Sequence, residues 1–542
     1  MQRRLLAAAI FWLAAFAILA APAAAQPPAA SSLAFSERSI QIDGFLQHGQ
    51  ELEVQRRWGE ALAHYEECLR QFPEENTLEK RFELTRLHYD LGRRCADRSF
   101  AEHVSRMPAA KALDLYLQVM QKIETQYVEQ PSWKDLVERG TMGLETALAE
   151  PVFLERNLPS RNPAALEAFR RELRQTLAQR NVSNRMESRD SVVTVANLAQ
   201  QRLGLSPTAV ILEYLCGATN SLDPYSAYLT PDQLSEVYSQ IDGSFVGLGI
   251  ELKAQNGSLV IVRVIGGSPA EQGGVRDGDR IVAVDGHQTS RYTTDQAANL
   301  LQGPEGSICS LVVAAPGEAD RQLSIRRQRV EVPSVDQVRI VDNQQGVAYL
   351  RLTCFQKTTR RDLEAALWRL HRDGMRSLVM DLRGNPGGLL ISSVDIADLF
   401  LDDGVIVTTH GRIPQEDATY TAHQEGTWHV PLTVIIDDQS ASAAEIFSGA
   451  IRDHHRGKVV GVRSFGKGSV QGIFQLDGSD SGLRLTTAKF YSPKGKPYSR
   501  VGVEPDVVVR QAARPINGAV AVKDDAMFNA ALQIARSAAL PR

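Results

Sequence analysis

Three segments in the C-terminal half of the chain carry residue types that could do chemistry. They span residues 381–388, 437–445 and 464–471, and each places Gly, Ser or Ala around a polar side chain. Ser442 follows an apolar run and precedes an apolar-periodic stretch, which predicts a strand entering a helix. A hydroxyl at such a junction lies beside free N–H groups and the positive end of the helix, where a developing oxyanion is stabilised. The alternative is a capping box of Ser442 and Glu445, worth about 1 kcal/mol and needing no chemistry.

A serine nucleophile needs oxyanion donors and a base. The Ala443 N–H is one candidate donor, and the Gly387–Gly388 turn offers a second, which we assign to Gly388. His454 and His455 lie about three helical turns beyond Ser442, roughly 18 Å along the axis, and cannot serve as its base.

Lys467 is the better base, because it lies between two glycines and follows Phe465. A cramped, apolar setting lowers the pKa of an ammonium and supplies a neutral amine near pH 7. Gln471, four residues on, would share a strand face with Lys467 and could orient the amine. Taken alone, Lys467 would be read as a solvent-facing lysine in a glycine turn.

The elements that must position these residues alternate between strand and helix. Buried-type strands are predicted at Gly346–Leu352, Leu378–Leu382 and Leu432–Asp437, with helical stretches at 358–373 and 389–400. This alternation indicates an α/β layer.

A different pattern occupies the region from Asp242 to about Arg329. Short β-type runs at 259–265, 280–284, 310–314 and 322–326 alternate with glycine turns and one short helix near 295–302. The loop Gly247-Leu248-Gly249-Ile250 precedes a strand, so its N–H groups could bind a carboxylate while the strand edge accepts a peptide. The region resembles a PDZ domain of bacterial processing proteases, with Leu248 and Ile250 lining the pocket for an apolar C-terminal residue. Gln302 stands where many such proteases carry the Arg that senses bound peptide.

Helical patterns fill much of residues 38–235. Within them, Trp58, Glu60, Ala61, Leu62, Tyr65, Leu69 and Pro73 match the offsets of one tetratricopeptide unit. The alternative is an amphipathic helix pair without a partner role.

The first 25 residues predict export. Arg3 and Arg4 precede an apolar run from Leu5 to Ala21, followed by Pro22 and an Ala-rich site. Cleavage after Ala25 would release the protein into the periplasm or the extracellular space. The alternative is an uncleaved anchor that tethers the protein to the membrane, because the apolar run approaches a spanning length.

The chain resembles the C-terminal processing peptidases, or tail-specific proteases, a family of serine peptidases with a Ser/Lys dyad and a PDZ domain. The resemblance runs from about Leu212 to Asp506 and rests on motifs at 221–229 (SLDPYSAYL), 385–388 (NPGG), 440–446 (SASAAEI), 465–468 (FGKG) and 503–506 (VEPD). It implies that Ser442 is the nucleophile, Lys467 the general base and Gln471 its orienting partner. Asp453 matches an acidic position of the family that we interpret as structural. Ala444 stands where relatives often carry Ser, with little effect expected.

The resemblance also implies the fold class: an α/β core of the crotonase/Clp-like type with an inserted β-rich PDZ domain and a helical N-terminal region. The expected divisions are a signal peptide (1–25), a linker (26–36), a helical region with the tetratricopeptide-like unit (37–110), a helical part of the peptidase (111–235), the PDZ domain (236–330), the peptidase core (331–510) and a C-terminal tail (511–542).

The composition indicates which classes of binding partner and cofactor are expected. The 542 residues include 60 Lys and Arg against 64 Asp and Glu, a net charge of −4, with 43% hydrophobic residues. This is a globular composition with no basic excess, so no nucleic-acid partner is expected. The resemblance to the processing peptidases and their PDZ domain implies protein substrates with apolar C-termini. The five cysteines are widely spaced and form no metal-ligand pattern, so no cofactor or metal is expected.

The sequence is also compatible with further partners and with one rival function. The long N-terminal helices are compatible with a homodimer, and the tetratricopeptide-like unit with a bound partner. The rival to a peptidase is a catalytically silent scaffold that binds through its PDZ and helical modules, which would predict loss of Ser442 or Lys467. A metal-dependent hydrolase is disfavoured because no H-E-x-x-H or Cys/His set occurs.

Overall fold

The protein is described by a computed structural model, and the chain divides after Tyr89 into two units. The structure describes residues 30–72, 75–158, 162–255, 258–291, 300–301, 303–315, 318–423, 426–510 and 525–539. The predicted signal peptide, Pro73 and Gln302 lie outside these residues. Among the described residues, no helix is long and apolar enough to cross a membrane.

The first unit contains a helical hairpin, which is where the tetratricopeptide-like pattern falls. Its helices are α1 (Ala30–Val54) and α2 (Trp58–Gln71), followed by α3 (Asn76–Ala96), which continues into the second unit. Ala61 and Tyr65 of α2 are fully buried, and Tyr65 donates to Glu53 Oε1 of α1 at 2.8 Å. The Tyr65 ring occupies the space that a side chain at Gly49 would need. A partner role for this hairpin stays a prediction.

Helices continue through the first part of the second unit. They are α4 (Arg98–Arg106), α5 (Ala109–Gln126), α6 (Trp133–Ala147), α7 (Pro151–Asn157), α8 (Pro163–Ala178), α9 (Arg185–Leu203), α10 (Pro207–Asn220) and α11 (Pro231–Asp242). Every residue of α10 from Thr208 to Thr219 is buried, as expected for a largely apolar helix, and the one charged side chain in this range, Glu213, pairs with Arg94 at 2.8 Å. It packs closely on α6, because a Cβ at Gly217 would lie 2.8 Å from the Arg139 carbonyl oxygen.

The β-rich insert follows α11. Its elements are β2 (Ser244–Gly247), β3 (Ile250–Gln255), β4 (Ser258–Val264), α12 (Pro269–Gln272), β5 (Arg280–Val284), β6 (His287–Gln288), a 3-10 turn (Thr289–Arg291), β7 (Ile308–Ala314), β8 (Arg321–Arg326) and β9 (Gln328–Glu331). β3, β4, β5, β7 and β8 form one antiparallel sheet in that order, with β6 paired to β5. β2 pairs with β9, so the insert begins and ends on adjacent strands. Most of the predicted short helix at 295–302 falls outside the described residues.

The core of the second unit is a mostly parallel sheet. Its strands are, in spatial order, β10 (Val335–Asp342), β11 (Val347–Leu352), β12 (Ser377–Asp381), β15 (Leu432–Ile436), β16 (Gly457–Gly461) and β19 (Val507–Val508). Only β10 is antiparallel to its neighbour. The helices α13 (Thr359–Arg372), α14 (Leu390–Asp398) and α15 (Ala443–Asp453) cover one face. These strands and helices confirm the predicted α/β core.

The other face of this sheet is covered by part of the segment that was expected to be a tail. Helix α16 (Ala526–Ala539) packs Met527, Phe528, Ala531 and Ala535 against alternate residues of four core strands. This role could not be predicted from the sequence, because a short amphipathic helix after a polar stretch does not reveal which surface it covers.

A second sheet joins the core to the preceding helices of the same unit. It contains β1 (Ala227–Leu229), β18 (Gly482–Tyr491), β13 (Val405–Gly411) and β14 (Ala418–Thr421) in that order, with β17 (Ser469–Gln475) paired to β18. A 3-10 turn (Pro414–Glu416) precedes β14. The Val128 N–H, after α5, donates to the Thr486 carbonyl of β18 at 2.9 Å. The strand that follows Lys467 is therefore anchored to the helical region through β18.

Candidate active site

Ser442 lies between the carboxyl end of β15 and the start of α15, as the sequence predicted. Its backbone has φ 57° and ψ −116°, a conformation that residues other than glycine seldom adopt. The loop before it is held by Ser440, whose hydroxyl donates to the Leu382 carbonyl at 2.8 Å and accepts the Asp437 N–H at 3.0 Å. Such strain persists only where the surroundings enforce it, and it is common at functional sites.

Glu445 connects the two segments that carry Ser442 and Lys467. Its Oε2 accepts the N–H of Ser442 at 2.7 Å and the N–H of Lys467 at 2.9 Å. Its Oε1 accepts the Ser464 hydroxyl at 2.6 Å and the Gly466 N–H at 2.7 Å. The side chain is fully buried, and burial raises the pKa of the carboxyl group while these four donors oppose that shift. The sequence indicates only a helix cap at Glu445, so this connection was not predicted.

Lys467 lies in a setting that favours a neutral amine. Burial, and then the charge of Arg484, lower the pKa of the Lys467 ammonium from 10.5 to about 8. Glu445 and Asp223 act in the opposite direction. The backbone beside it is close-packed, because a Cβ at Gly468 would lie 2.1 Å from the Ser499 nitrogen. The lysine is therefore half-buried with a pKa near the physiological range.

The Gly387–Gly388 turn contacts the serine. A Cβ at Gly387 would lie 2.7 Å from the Ser442 Cβ, so only glycine leaves room for that side chain. Asn385, buried below the turn, accepts the Gly387 N–H through Oδ1 and donates through Nδ2 to the Leu352 carbonyl, both at 2.8 Å. In the described part of the chain, neither the Gly388 N–H nor the Ala443 N–H donates to a protein acceptor. Both N–H groups are available for an oxyanion.

Gln471, Asp453 at the end of α15 and His454 after it make other contacts. The Nε2 of Gln471 donates to the carbonyl and hydroxyl oxygens of Ser469, at 2.9 and 2.8 Å. Its role as a partner of the lysine stays a prediction. His454 pairs with the Val405 carbonyl at 2.7 Å, and Asp453 accepts the Lys494 N–H at 3.3 Å.

A buried ion pair precedes the turn, and it was not predicted from the sequence. Arg383 donates to both carboxylate oxygens of Asp381, which is 2% exposed and also accepts the Tyr349 hydroxyl at 2.9 Å. A further nitrogen of Arg383 donates to Asp525 Oδ1 at 2.8 Å, immediately before α16. Because Arg383 directly precedes Gly384, this network fixes where the glycine turn begins. Its only sequence signal was an Asp-x-Arg pair at the end of a buried strand.

The predicted peptide-binding loop lies at the edge of the insert. Gly249 has φ +83° and lies against Ser268, while the buried Leu248 accepts the Ala270 N–H at 2.8 Å through its carbonyl. Ile250 opens β3, which within the described residues pairs only with β4. Gly247 ends β2. The free edge of β3 can accept an extended peptide. The described residues contain no cluster that could hold a metal ion.

Comparisons with known proteins agree with this architecture. Residues 346–509 match the model of peptidase family S41, and residues 260–314 match a PDZ domain. The chain is 38% identical to a carboxy-terminal-processing protease of Bartonella bacilliformis over 302 residues, 54% of this chain and 68% of that protein. It is 34% identical to a carboxyl-terminal-processing protease of Synechocystis over 294 residues, 53% of this chain and 68% of that protein.

Among solved structures, the photosystem II D1 C-terminal processing protease matches at 25% identity and a TM-score of 0.40, covering 73% of this chain and 93% of that chain. The extent of the sequence identity to the curated relatives decides the assignment. The chain belongs to the C-terminal processing peptidases, serine peptidases that carry a PDZ domain.

Proposed function

We propose that the protein is an exported endopeptidase in which Ser442 is the nucleophile and Lys467 the general base. The observation that carries this proposal is the shared contact with Glu445, whose Oε2 accepts the backbone N–H of both residues. The lowered pKa of Lys467 supports it, because a neutral amine can take the proton of a serine hydroxyl.

In the proposed reaction, Ser442 Oγ attacks the carbonyl carbon of the peptide bond and its proton passes to Lys467 Nζ. The negative charge that develops on the carbonyl oxygen is stabilised by the N–H groups of Gly388 and Ala443. The lysine then gives its proton to the leaving amine, and an acyl ester remains on Ser442. Water activated by the neutral lysine hydrolyses this ester and frees the serine.

The PDZ domain is proposed to select the substrate. An extended C-terminal segment would add to the free edge of β3, with its carboxylate at the N–H groups of the Gly247–Ile250 loop. The half-buried Ile250 would offer an apolar surface to the last side chain, and Leu248, packed in the core of the insert, would support it. Proteins with apolar C-termini are therefore the proposed substrates.

Export and further partners are proposed on the sequence pattern alone. Residues 1–25 would direct the protein to the periplasm or the extracellular space, or tether it to the membrane if uncleaved. The N-terminal helices are proposed as a homodimer contact, and the hairpin of α1 and α2 as a partner surface. Analytical ultracentrifugation of the parent, and of a variant lacking that hairpin, would test the dimer.

The dyad is tested by comparing the parent with Ser442→Ala and Lys467→Ala on an unstructured protein that ends in apolar residues. We expect cleavage by the parent and none by either variant. Lys458→Ala, at an exposed lysine on β16, is the matched control and should cleave like the parent. Cleavage that persists in Ser442→Ala would refute the mechanism. A parent that binds the substrate tail but never cleaves, even with added C-terminal peptides, would support the scaffold instead.

A further inference from the structure

The aromatic ring of Tyr225 lies over the side-chain amine of Lys467. The distance from Lys467 Nζ to the ring centroid is 4.8 Å, within the range of a cation–π contact. Tyr225 belongs to the 221–229 motif, which precedes the PDZ insert and lies more than 200 residues from the lysine. At the level of sequence this motif carries only the family resemblance, with no chemistry assigned to it.

The turn that carries Tyr225 is organised by Asp223. One oxygen of its carboxylate accepts the N–H of Tyr225 at 2.7 Å and the N–H of Ser226 at 2.9 Å. The other oxygen accepts the Ser226 hydroxyl at 2.7 Å. An aspartate that binds the N–H groups two and three residues ahead closes a tight turn and restricts the backbone of the residues between them.

Neighbouring elements hold the same turn in place. Arg484 of β18 donates through Nε to the Tyr225 carbonyl at 2.7 Å, and the Thr486 N–H donates to the Ser226 hydroxyl at 3.1 Å. The Tyr127 hydroxyl, after α5, donates to the Leu222 carbonyl at 2.7 Å. β18 pairs along β17, which begins two residues after Lys467. The turn that carries the ring is therefore bonded to β18, and the lysine lies just before β17, the strand that pairs with β18.

We propose that Tyr225 is a positioning residue for the general base. Its ring covers one side of the Lys467 amine, excludes water from that side and restricts the directions in which the amine can point. The Asp223 turn fixes the ring for this task. The inference rests on the proposed Ser442 and Lys467 dyad and deepens it, since it names the group that shapes the surroundings of the base.

The ring has two opposing effects on the lysine. As an apolar cover it disfavours the ammonium form, whereas its π face favours that form. Among the described residues, the charged groups that act on the amine are Arg484 from β18, Glu445 from α15 and Asp223 from the turn, and of these three Arg484 adds to the effect of burial. A substitution that removes the apolar cover should therefore raise the pKa of the lysine, and one that keeps the cover but removes the π face should lower it.

Three variants make this separation. Tyr225→Phe keeps the ring and should retain kcat and the pKa of Lys467. Tyr225→Ala admits water, so the pKa should rise by about one unit and kcat at pH 7 should fall about tenfold, because the neutral fraction falls by that factor. Tyr225→Leu keeps apolar cover without the π face, so the pKa should fall below that of the parent.

The pKa is measured independently of catalysis. The rate at which acetic anhydride labels Lys467, followed by peptide mass spectrometry across pH 6–11, reports the neutral amine in each variant. A thermal unfolding midpoint is recorded for each protein. If Tyr225→Ala does not fold, the Tyr225→Leu titration decides, since a purely structural tyrosine would change the midpoint without moving the lysine pKa in the folded protein.

A lysine pKa and a kcat equal to those of the parent in the folded Ala and Leu variants would overturn the inference. A different result would refute the proposed Ser442 and Lys467 dyad. Cleavage that survives in Lys467→Ala would refute the proposed function, while the labelling titration would still report on the contact between Tyr225 and Lys467.

Discussion

The backbone N–H groups of Ser442 and Lys467 donate to the same oxygen atom, Oε2 of Glu445, at 2.7 and 2.9 Å. Because both nitrogens contact one atom, the two backbones lie within a few ångströms of each other. This distance is set by a buried carboxylate on α15 and is independent of any contact between the serine and lysine side chains. The backbone geometry of the pair therefore does not depend on the rotamer of the lysine side chain.

Glu445→Gln is predicted to impair both catalysis and stability. The substitution replaces one acceptor oxygen with an NH2 group that faces N–H donors, and at least one buried N–H then loses its partner. We expect a loss of stability of about 1–3 kcal/mol. We also expect kcat to fall roughly a hundredfold, since a displacement of about 1 Å has that effect. Urea denaturation and steady-state kinetics measure the two quantities.

Glu504→Gln is the matched control for this substitution. Glu504 forms an exposed ion pair with Arg463, and such pairs contribute little to stability. We expect its kcat and unfolding midpoint to match those of the parent. A Glu445→Gln protein with the kinetics of the Glu504→Gln protein would show that the shared carboxylate does not position the two residues.

The rate of the chemical step is predicted to rise with pH through about 8. Only the neutral amine of Lys467 can accept the serine proton, and its pKa is lowered from 10.5 to about 8, chiefly by burial. Below that pKa the rate should rise about tenfold per pH unit and then level off. At pH 7 the shift increases the neutral fraction roughly 300-fold over that of an ordinary lysine.

Single-turnover cleavage measured between pH 6 and 10 tests this rise of the rate with pH. Lys467→Arg is the informative variant, since a guanidinium keeps its proton throughout that range and cannot act as the base. We expect no cleavage by it at any pH. A flat profile of the parent from pH 6 to 9 would exclude a neutral Lys467 as the base.

Much of the fold could be predicted from the sequence because its signals are local. The predicted strand at Leu432–Asp437 appears as β15 (Leu432–Ile436), and the predicted helix at 358–373 appears as α13 (Thr359–Arg372). A continuous apolar run and a 3.6-residue period each describe the surroundings of one element. The strand-to-helix junction at Ser442 could be found in the same way.

The contacts that organise the site could not be predicted, because their partners are distant in sequence. Asp525 lies 142 positions from Arg383, and Arg484 lies 259 positions from Tyr225. Glu445 gave a local signal, the capping box, but its other donors come from the loop before β17. Local patterns identify which elements exist, whereas pairings between side chains depend on how those elements are arranged.

Gly388→Ala is predicted to remove an oxyanion donor. Gly388 has φ +144°, and a Cβ there would lie 2.1 Å from the Phe355 carbonyl oxygen. The turn must move to relieve this clash, which displaces the Gly388 N–H from the serine. We expect kcat to fall about a hundred- to a thousandfold, the usual effect of losing one such donor, with a smaller change in KM.

Gly374→Ala is the control for Gly388→Ala. It introduces backbone strain at a glycine of positive φ without displacing the Gly387–Gly388 turn. Gly374 has φ +91°, and no atom lies within 4 Å of the position that a Cβ would take, so alanine there adds strain without a clash. It should lower stability by about 1–2 kcal/mol and leave kcat unchanged. Equal kcat in Gly388→Ala and the parent would remove Gly388 from the proposed oxyanion site.

Gly249→Ala is predicted to weaken capture of the substrate and to leave the chemical step intact. A Cβ at Gly249 would lie 2.2 Å from the Ser268 Cβ, and the residue has φ +83°, so the peptide-binding loop must deform. We expect KM for a protein with an apolar C-terminus to rise about tenfold, equivalent to about 1.4 kcal/mol of lost binding. Cleavage of a short peptide that does not reach the PDZ domain should proceed as in the parent.

Gly267→Ala, at φ +77° with nothing within 4 Å, is the control and should bind C-terminal peptides normally. Calorimetric titration with such a peptide distinguishes the two variants, and equal affinities would place the capture site elsewhere on the protein.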